Sequence, residues 1–171
     1  PSVPKMPHKQ VQTSLYALRT GNGAVLWHKE LNNGQDSFAN WFVLDNGVIY
    51  GTQSISGSNN TNQGYVYAMQ ASDGSPVWKD KVQGSPGDGQ IINGVIYATS
   101  GDSSAAGATA LYALREQDGS LLWSYPIYSD FTGTPMQVGN TLYTSAGNGM
   151  LYALSANNGK LLWHYQTDTG A

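Results

Sequence analysis

Residues 150–167 read MLYALSANNGKLLWHYQT, two strand-forming runs around a turn. Leu151-Tyr152-Ala153-Leu154 is short, apolar and rich in residues that suit a pleated strand. Asn158-Gly159 follows, and a type I′ hairpin turn needs positive φ at both central residues, which Asn and Gly tolerate best. Leu161-Leu162-Trp163 is the return strand. The same pattern occurs three times upstream. Leu15-Tyr16-Ala17-Leu18 leads through Asn22-Gly23 to Leu26-Trp27, Val66-Tyr67-Ala68-Met69 through Asp73-Gly74 to Val77-Trp78, and Leu111-Tyr112-Ala113-Leu114 through Asp118-Gly119 to Leu122-Trp123. In every copy Tyr to Gly is seven residues and Gly to Trp is four. A fixed internal register of this kind predicts a repeat architecture.

A second kind of hairpin lies between these copies. Asp45-Asn46-Gly47 precedes Val48-Ile49-Tyr50, Asn93-Gly94 precedes Val95-Ile96-Tyr97, and Gly139-Asn140 precedes Thr141-Leu142-Tyr143. Another apolar run stands upstream of each turn: Trp41-Phe42-Val43-Leu44, Gln90-Ile91-Ile92, and Pro135-Met136-Gln137-Val138. A full unit therefore has four antiparallel strands, A to D, with tight A–B and C–D hairpins. The runs are apolar along their length, as in strands buried on both faces. The repeat tryptophans are spaced 51, 45 and 40 residues apart. Four short strands recurring every 40–50 residues are the pattern of propeller blades, none of which can bury both faces alone.

Composition narrows the function classes. The 171 residues are 40% hydrophobic but only 11% charged, well under the usual share of about 25%. Net charge is −3 and the eight Lys and Arg are scattered, so no basic patch exists for nucleic acid. The absence of cysteine removes disulfides, Cys-based zinc sites and thiol catalysis together. No apolar run approaches the roughly 20 residues of a transmembrane helix. The first residue is Pro1, so the start is expected to be processed or cut.

Ala17, Gly23 and Trp27 keep the spacing of Ala68, Gly74 and Trp78, of Ala113, Gly119 and Trp123, and of Ala153, Gly159 and Trp163. This spacing resembles the tryptophan-docking motif of the quinoprotein (PQQ-like) β-propeller repeat family over about residues 14–167. The resemblance implies that each Trp ring docks on a neighbouring blade, and burying such a ring contributes on the order of 2–3 kcal/mol. The Asp that the family usually carries two residues after the Ala is replaced by Arg19, Gln70, Arg115 and Ser155, so these are degenerate repeats. The expected fold is all-β: a β-propeller of four-stranded antiparallel blades, about three complete plus a C–D half blade. Residues 1–10, with three prolines, read as a linker or tail. The half blade spans 11–31, and the blades span about 38–82, 89–126 and 133–167. Such an array is either a piece of a longer propeller of about six to eight blades, the reading preferred by analogy, or a chain whose copies associate across open blade edges.

The B–C links (51–64, 100–109, 146–149) and the D–A links (28–39, 79–89, 124–134) vary in length, and in up-and-down blades both sets share one face. Loop-borne function is expected there. The candidate binding residues are Tyr128, Asp130 and Phe131 in one link, Asp102 in another, Asp88 and Gln90 at the approach to an inner strand, and Trp41 on one. Aromatics beside carboxylates and amides suit a small polar ligand, a carbohydrate or a peptide. The simpler account is that Tyr128 and Phe131 cover blade edges, Asp130 caps a turn and Trp41 is core. Asn59-Asn60-Thr61 matches a glycosylation sequon, a frequent pattern. His28 and His164 follow repeat tryptophans and read as exposed outer-strand residues rather than a metal site. Gly21-Asn22-Gly23 lacks the strand-to-helix setting of a nucleotide loop.

No catalytic residues and no metal site are assigned. The preferred reading is a non-catalytic propeller module, a protein-interaction scaffold or sensor domain binding through its variable-loop face and requiring no cofactor. The resemblance implies an extracytoplasmic setting, because relatives include periplasmic scaffolds for outer-membrane protein assembly and extracytoplasmic domains of kinases. The alternative is a fragment of a quinoprotein alcohol or sugar dehydrogenase, which by resemblance would hold pyrroloquinoline quinone and Ca²⁺ on the propeller axis. Calcium takes six to eight oxygen ligands, and Asp88, Asp102 and Asp130 are the only loop carboxylates near the expected axis.

Overall fold

The computed structural model describes residues 13–31, 37–56, 62–101, 109–127 and 133–167. Among them are fourteen β-strands and no helix. The first pair, β1 (Ser14–Leu18) and β2 (Val25–Glu30), forms a two-stranded sheet. Three four-stranded antiparallel meanders follow. One contains β3 (Ser37–Asp45), β4 (Val48–Ser56), β5 (Asn62–Gln70) and β6 (Pro76–Gln83). The next has β7 (Ser85–Ile92), β8 (Val95–Gly101), β9 (Ala110–Arg115) and β10 (Leu121–Pro126). The last has β11 (Met136–Val138), β12 (Thr141–Ser145), β13 (Met150–Ser155) and β14 (Leu161–Gln166). The architecture is three four-stranded propeller blades and one two-stranded piece, as the repeat register predicts.

The two hairpin types differ in a way the sequence reading did not separate. Type I′ geometry occurs at the A–B turns, where both Asn46 and Gly47 (φ 46° and 78°) and both Asn93 and Gly94 (52° and 77°) are left-handed. At the third A–B turn the positive φ falls on the first central residue, Gly139, as a type II′ turn requires. The C–D turns, expected to be type I′, are wider. Gly159 alone has positive φ (67°), and its N–H donates to the Ser155 carbonyl four residues back at 2.8 Å. Asn158 instead uses its side chain, Oδ1 accepting from the Lys160 N–H at 3.1 Å. Asp118, Asp73 and Asn22 do the same for Ser120, Ser75 and Ala24. The short polar side chain here closes an Asx-type turn rather than adopting a left-handed backbone.

Two cores lie between blades. Tyr50, Val66, Ala68 and Val82 of the first complete blade meet Ile96, Ala98, Tyr112 and Leu114 of the next. On the opposite face of that second sheet, Tyr97, Leu111, Ala113 and Trp123 meet Leu142, Tyr152 and Leu154 of the last blade. Continuous burial holds only for middle strands such as β8, whose Ile96–Ser100 segment is buried throughout; outer strands β10 and β14 are largely exposed. The apolar outer-strand residues Leu122 and Leu162 therefore face solvent. Burial on both faces is a property of a strand with a sheet neighbour on each side and a blade on each face, which an outer strand lacks.

Candidate functional site

The blade joints supply the best-defined geometry. Trp27, Trp78 and Trp123 each reach from a D strand to the C–D turn of the following blade. Each indole Nε1–H donates at 3.0 Å to a backbone carbonyl: Ala71, Glu116 and Ala156 respectively. Each ring lies flat over the glycine three residues further on. A Cβ added at Gly74, Gly119 or Gly159 would come within 2.9, 2.6 and 2.4 Å of ring carbon Cε3 of its tryptophan. The motif glycine thus meets two demands at once, a left-handed backbone and a surface with no side chain. Tyr50 and Tyr97 back Trp78 and Trp123 within their own sheets, ring centroids 6.1 and 5.9 Å apart.

The joint between the first two complete blades carries an ionisable cluster that sequence reading missed. The Tyr50 hydroxyl hydrogen-bonds the Glu116 carboxylate, and Glu116 in turn hydrogen-bonds Asp45. Burial, that hydrogen bond and the two neighbouring carboxylates push Tyr50 up to about 12. Burial, first, and then the Asp45 carboxylate raise Glu116 above the ordinary carboxylate value of 4.5, partly opposed by Tyr50.

Toward the variable-loop ends, the B strands carry a buried polar strip. Thr52 Oγ1 donates to the Gly87 carbonyl across the blade boundary at 3.2 Å, Thr99 Oγ1 to Asp88 at 3.0 Å, and Thr144 Oγ1 to Gly133 at 3.0 Å. Gln53 is 1% exposed; its Nε2 donates to the Leu31 carbonyl and its Oε1 accepts from Lys79 Nζ at 2.8 Å. Lys79 also sits 4.1 Å above the Tyr65 ring, and burial lowers its pKa. Leu31, Gln53 and Lys79 border a cleft of about 190 Å³ between the half blade and the first complete blade. The hydroxyl of Tyr67 is buried without a hydrogen-bond partner. The recurrence of Tyr-x-Thr at Tyr50-Gly51-Thr52 and Tyr97-Ala98-Thr99 was the available sequence signal for part of this strip.

Three of the residues proposed from sequence, Trp41, Asp88 and Gln90, lie in described strands. Asp88 and Gln90, expected before or at the opening of an inner strand, lie within β7, beside the irregularity between Pro86 and Gly89. The 79–89 link is mostly strand, because β6 and β7 are separated by Gly84 alone, with φ 76°. Gly89 backs onto the Trp41 ring, where a Cβ would meet it at 3.3 Å. Its exposed neighbours Asp88 and Gln90 therefore project from the other face of β7, away from Trp41. Trp41 is half-buried and packs against the core between the first two complete blades. Asp102, Tyr128, Asp130 and Phe131, the sequon at 59–61 and the tail at 1–10 lie outside the described residues. Among the described residues, no three His, Asp or Glu side chains converge as metal ligands, and no helix is long and apolar enough to cross a membrane.

The sequence model of the family described as outer membrane protein assembly factor BamB matches residues 11–110 and again 62–171. The chain belongs to the PQQ-like β-propeller repeat family. Among solved structures, BamB from Moraxella catarrhalis is 14% identical with a TM-score of 0.61, covering 92% of this chain and 51% of its own. The quinohemoprotein alcohol dehydrogenase from Comamonas testosteroni is 16% identical with a TM-score of 0.72, covering 90% of this chain and 32% of its own. A tetrathionate hydrolase from Acidithiobacillus ferrooxidans is 38% identical over 58 residues, 33% of this chain and 10% of that protein. The chain spans about half of the BamB chain and a smaller share of the two enzymes.

Proposed function

We propose that this PQQ-like array is a non-catalytic module for protein interaction, working outside the cytoplasm and binding through its variable-loop face. The observation that carries the reading is the end-to-end match to a family described as an outer membrane protein assembly factor. It is supported by the chemistry of the described polar groups. Thr52, Thr99, Thr144 and Gln53 are committed to hydrogen bonds that join strands and blades, a structural use of these buried polar groups. Asp88, level with Thr99 on β7, is exposed and polar, as in the rim of a protein interface.

The dehydrogenase reading draws on the higher TM-score to the alcohol dehydrogenase. Pyrroloquinoline quinone with Ca²⁺ would need several converging oxygen ligands. The described residues do not fit that need: Asp88 is an isolated carboxylate, and the Asp45–Glu116 pair lies at the opposite, A–B and C–D turn end of the blades. No reaction step is derived through the quinone.

The test has two arms. The chain is titrated with pyrroloquinoline quinone and Ca²⁺ and weighed by native mass spectrometry, with no retained quinone expected. A photo-crosslinking residue is placed at Asp88 on the loop side and, separately, at Lys160 on the opposite turn side. Crosslinks to a discrete protein from position 88 but not from position 160 are expected. Stoichiometric quinone retention, or crosslinking that does not distinguish the two faces, overturns the reading.

A further inference from the structure

The cleft between β2 and the first complete blade carries a charge that the matching positions of the next blade lack. Its walls come from the end of β2 and from β4, β5 and β6. Lys79 and Gln53 stand one residue after a repeat tryptophan and three after a B-strand tyrosine, where the next blade has Ser124 and Ser100. Gln53 is buried and anchored across the joint by its Nε2 bond to the Leu31 carbonyl, and its Oε1 accepts from Lys79 Nζ at 2.8 Å. The Tyr65 ring, 4.1 Å from the same ammonium, holds it from another side. The stem of Lys79 is exposed on β6, but its head group is fixed at the mouth of the cleft. Burial alone lowers the pKa of this lysine, and no carboxylate contributes. Lys29 and Glu30 also line the cleft; their charges cancel, so the net positive charge is that of Lys79.

A second polar group there is unmet. Tyr67 is 5% exposed and lines the same cleft, and its hydroxyl is buried without a hydrogen-bond partner. In the next joint the matching Tyr112 hydroxyl accepts the Gln83 N–H at 3.1 Å. An unpaired buried hydroxyl is costly, and a ligand acceptor removes that cost. Met69 and the Tyr67 ring make the neighbouring wall apolar. The volume of about 190 Å³ sets the size of the guest: an apolar cavity of about 150 Å³ holds one benzene, whereas larger organic ligands take about 300 Å³ or more.

We propose that this cleft binds a small organic monocarboxylate, its charge on the Lys79 ammonium, its apolar body against Met69 and the Tyr67 ring, and the Tyr67 hydroxyl donating to it. One fixed cation matches one negative charge, and a body of about six carbons fills the remaining space. The site is separate from the loop-face contact proposed above and does not depend on it.

The test is calorimetric titration of the 171-residue chain with benzoate and hexanoate, with benzamide as the neutral counterpart of benzoate. The variants Lys79→Met, which keeps an unbranched apolar stem, and Tyr67→Phe are titrated beside the parent, after urea denaturation has shown that each is folded. Amide NMR spectra locate the bound anion. One-to-one binding of at least one of the two anions is expected, with a dissociation constant of about 1 mM or below, and with shifts centred on the Gln53 side-chain amide and Met69. Replacing benzoate by benzamide, or Lys79 by Met, should weaken binding by about tenfold or more, and Tyr67→Phe by about threefold or more. No binding of either anion at about 10 mM overturns the proposal. So does benzamide binding as tightly as benzoate, either variant binding as tightly as the parent, or shifts centred on another blade.

Discussion

Gly159→Ala and Gly47→Ala should have very different consequences, although both add one methyl at a left-handed glycine. The φ angles are 67° and 78°, so each variant carries a similar strain of about 1–2 kcal/mol, partly offset by about 0.4–1 kcal/mol from a less flexible unfolded chain. The surroundings differ. At Gly47 the new Cβ meets nothing within 4 Å; at Gly159 it would lie 2.4 Å from Trp123 Cε3, a distance no carbon pair tolerates. The ring must leave its seat. Trp123 is 9% exposed and gives its Nε1–H to Ala156. Displacement sacrifices part of a ring burial of about 2–3 kcal/mol and a hydrogen bond of about 0.5–1.5 kcal/mol. The extra cost of Gly159→Ala over Gly47→Ala is then about 2–4 kcal/mol. Urea denaturation followed by circular dichroism measures it, as a gap in midpoint of roughly 1–2 M for an m-value near 2 kcal/mol/M. Two variants within 1 kcal/mol of each other would refute the claim that the motif glycine is a seat for the indole.

Other consequences can be checked on the same chain. Trp78→Phe keeps an aromatic ring but loses the donor to the Glu116 carbonyl, and should cost about 1–2 kcal/mol in the same denaturation assay. Asn158→Ala removes the acceptor for the Lys160 N–H and should cost about 1 kcal/mol, most of it recovered by Asn158→Asp. The carboxyl of Glu116 has a folded pKa above its ordinary value of 4.5, so the folded state holds its proton longer than the unfolded one. Its contribution is fully present below that value and is lost as pH rises through the raised pKa. The parent's stability relative to Glu116→Gln should therefore fall across that window, and a flat difference curve would sink the assignment. Asp73 and Asp118 act oppositely: hydrogen bonds from Ser75 and Ser120 lower their pKa values, so their contribution is lost as pH falls. Asp118→Asn should remove that acid sensitivity in a pH series of thermal melts.

The repeat was legible because each copy carries its own local evidence. A strand, a turn and a return strand of fixed length can be read without knowing what they touch, and the four Tyr-Gly-Trp frames give the blade order directly. Turn type was less accessible. Asn-Gly and Asp-Gly fit both the two-residue I′ turn at Asn46-Gly47 and the wider C–D turn closed by the Asn158 side chain; strand pairing outside the turn decides between them. Strand ends were similarly misjudged at 79–89, where polar residues such as Lys79 and Asp80 read as loop but pair with β5 in β6. The Tyr50–Glu116–Asp45 cluster and the Gln53–Lys79 bond join residues 26–71 positions apart. Stacking of one blade on the next creates the first, the lateral order of strands within one sheet creates the second, and no local pattern announces either.

The tryptophan joint has a polarity. Each blade offers an indole to its successor and a bare glycine turn to its predecessor, and the carbonyl that receives the indole is backbone, indifferent to the residue that bears it: Ala71, Glu116 and Ala156 serve equally. A gene segment encoding one blade can therefore be duplicated or deleted and the newly adjoining units still fit. The joint specifies direction without specifying number. Repeat count in such a lineage is free to drift, limited by the arc each unit subtends rather than by recognition between particular neighbours.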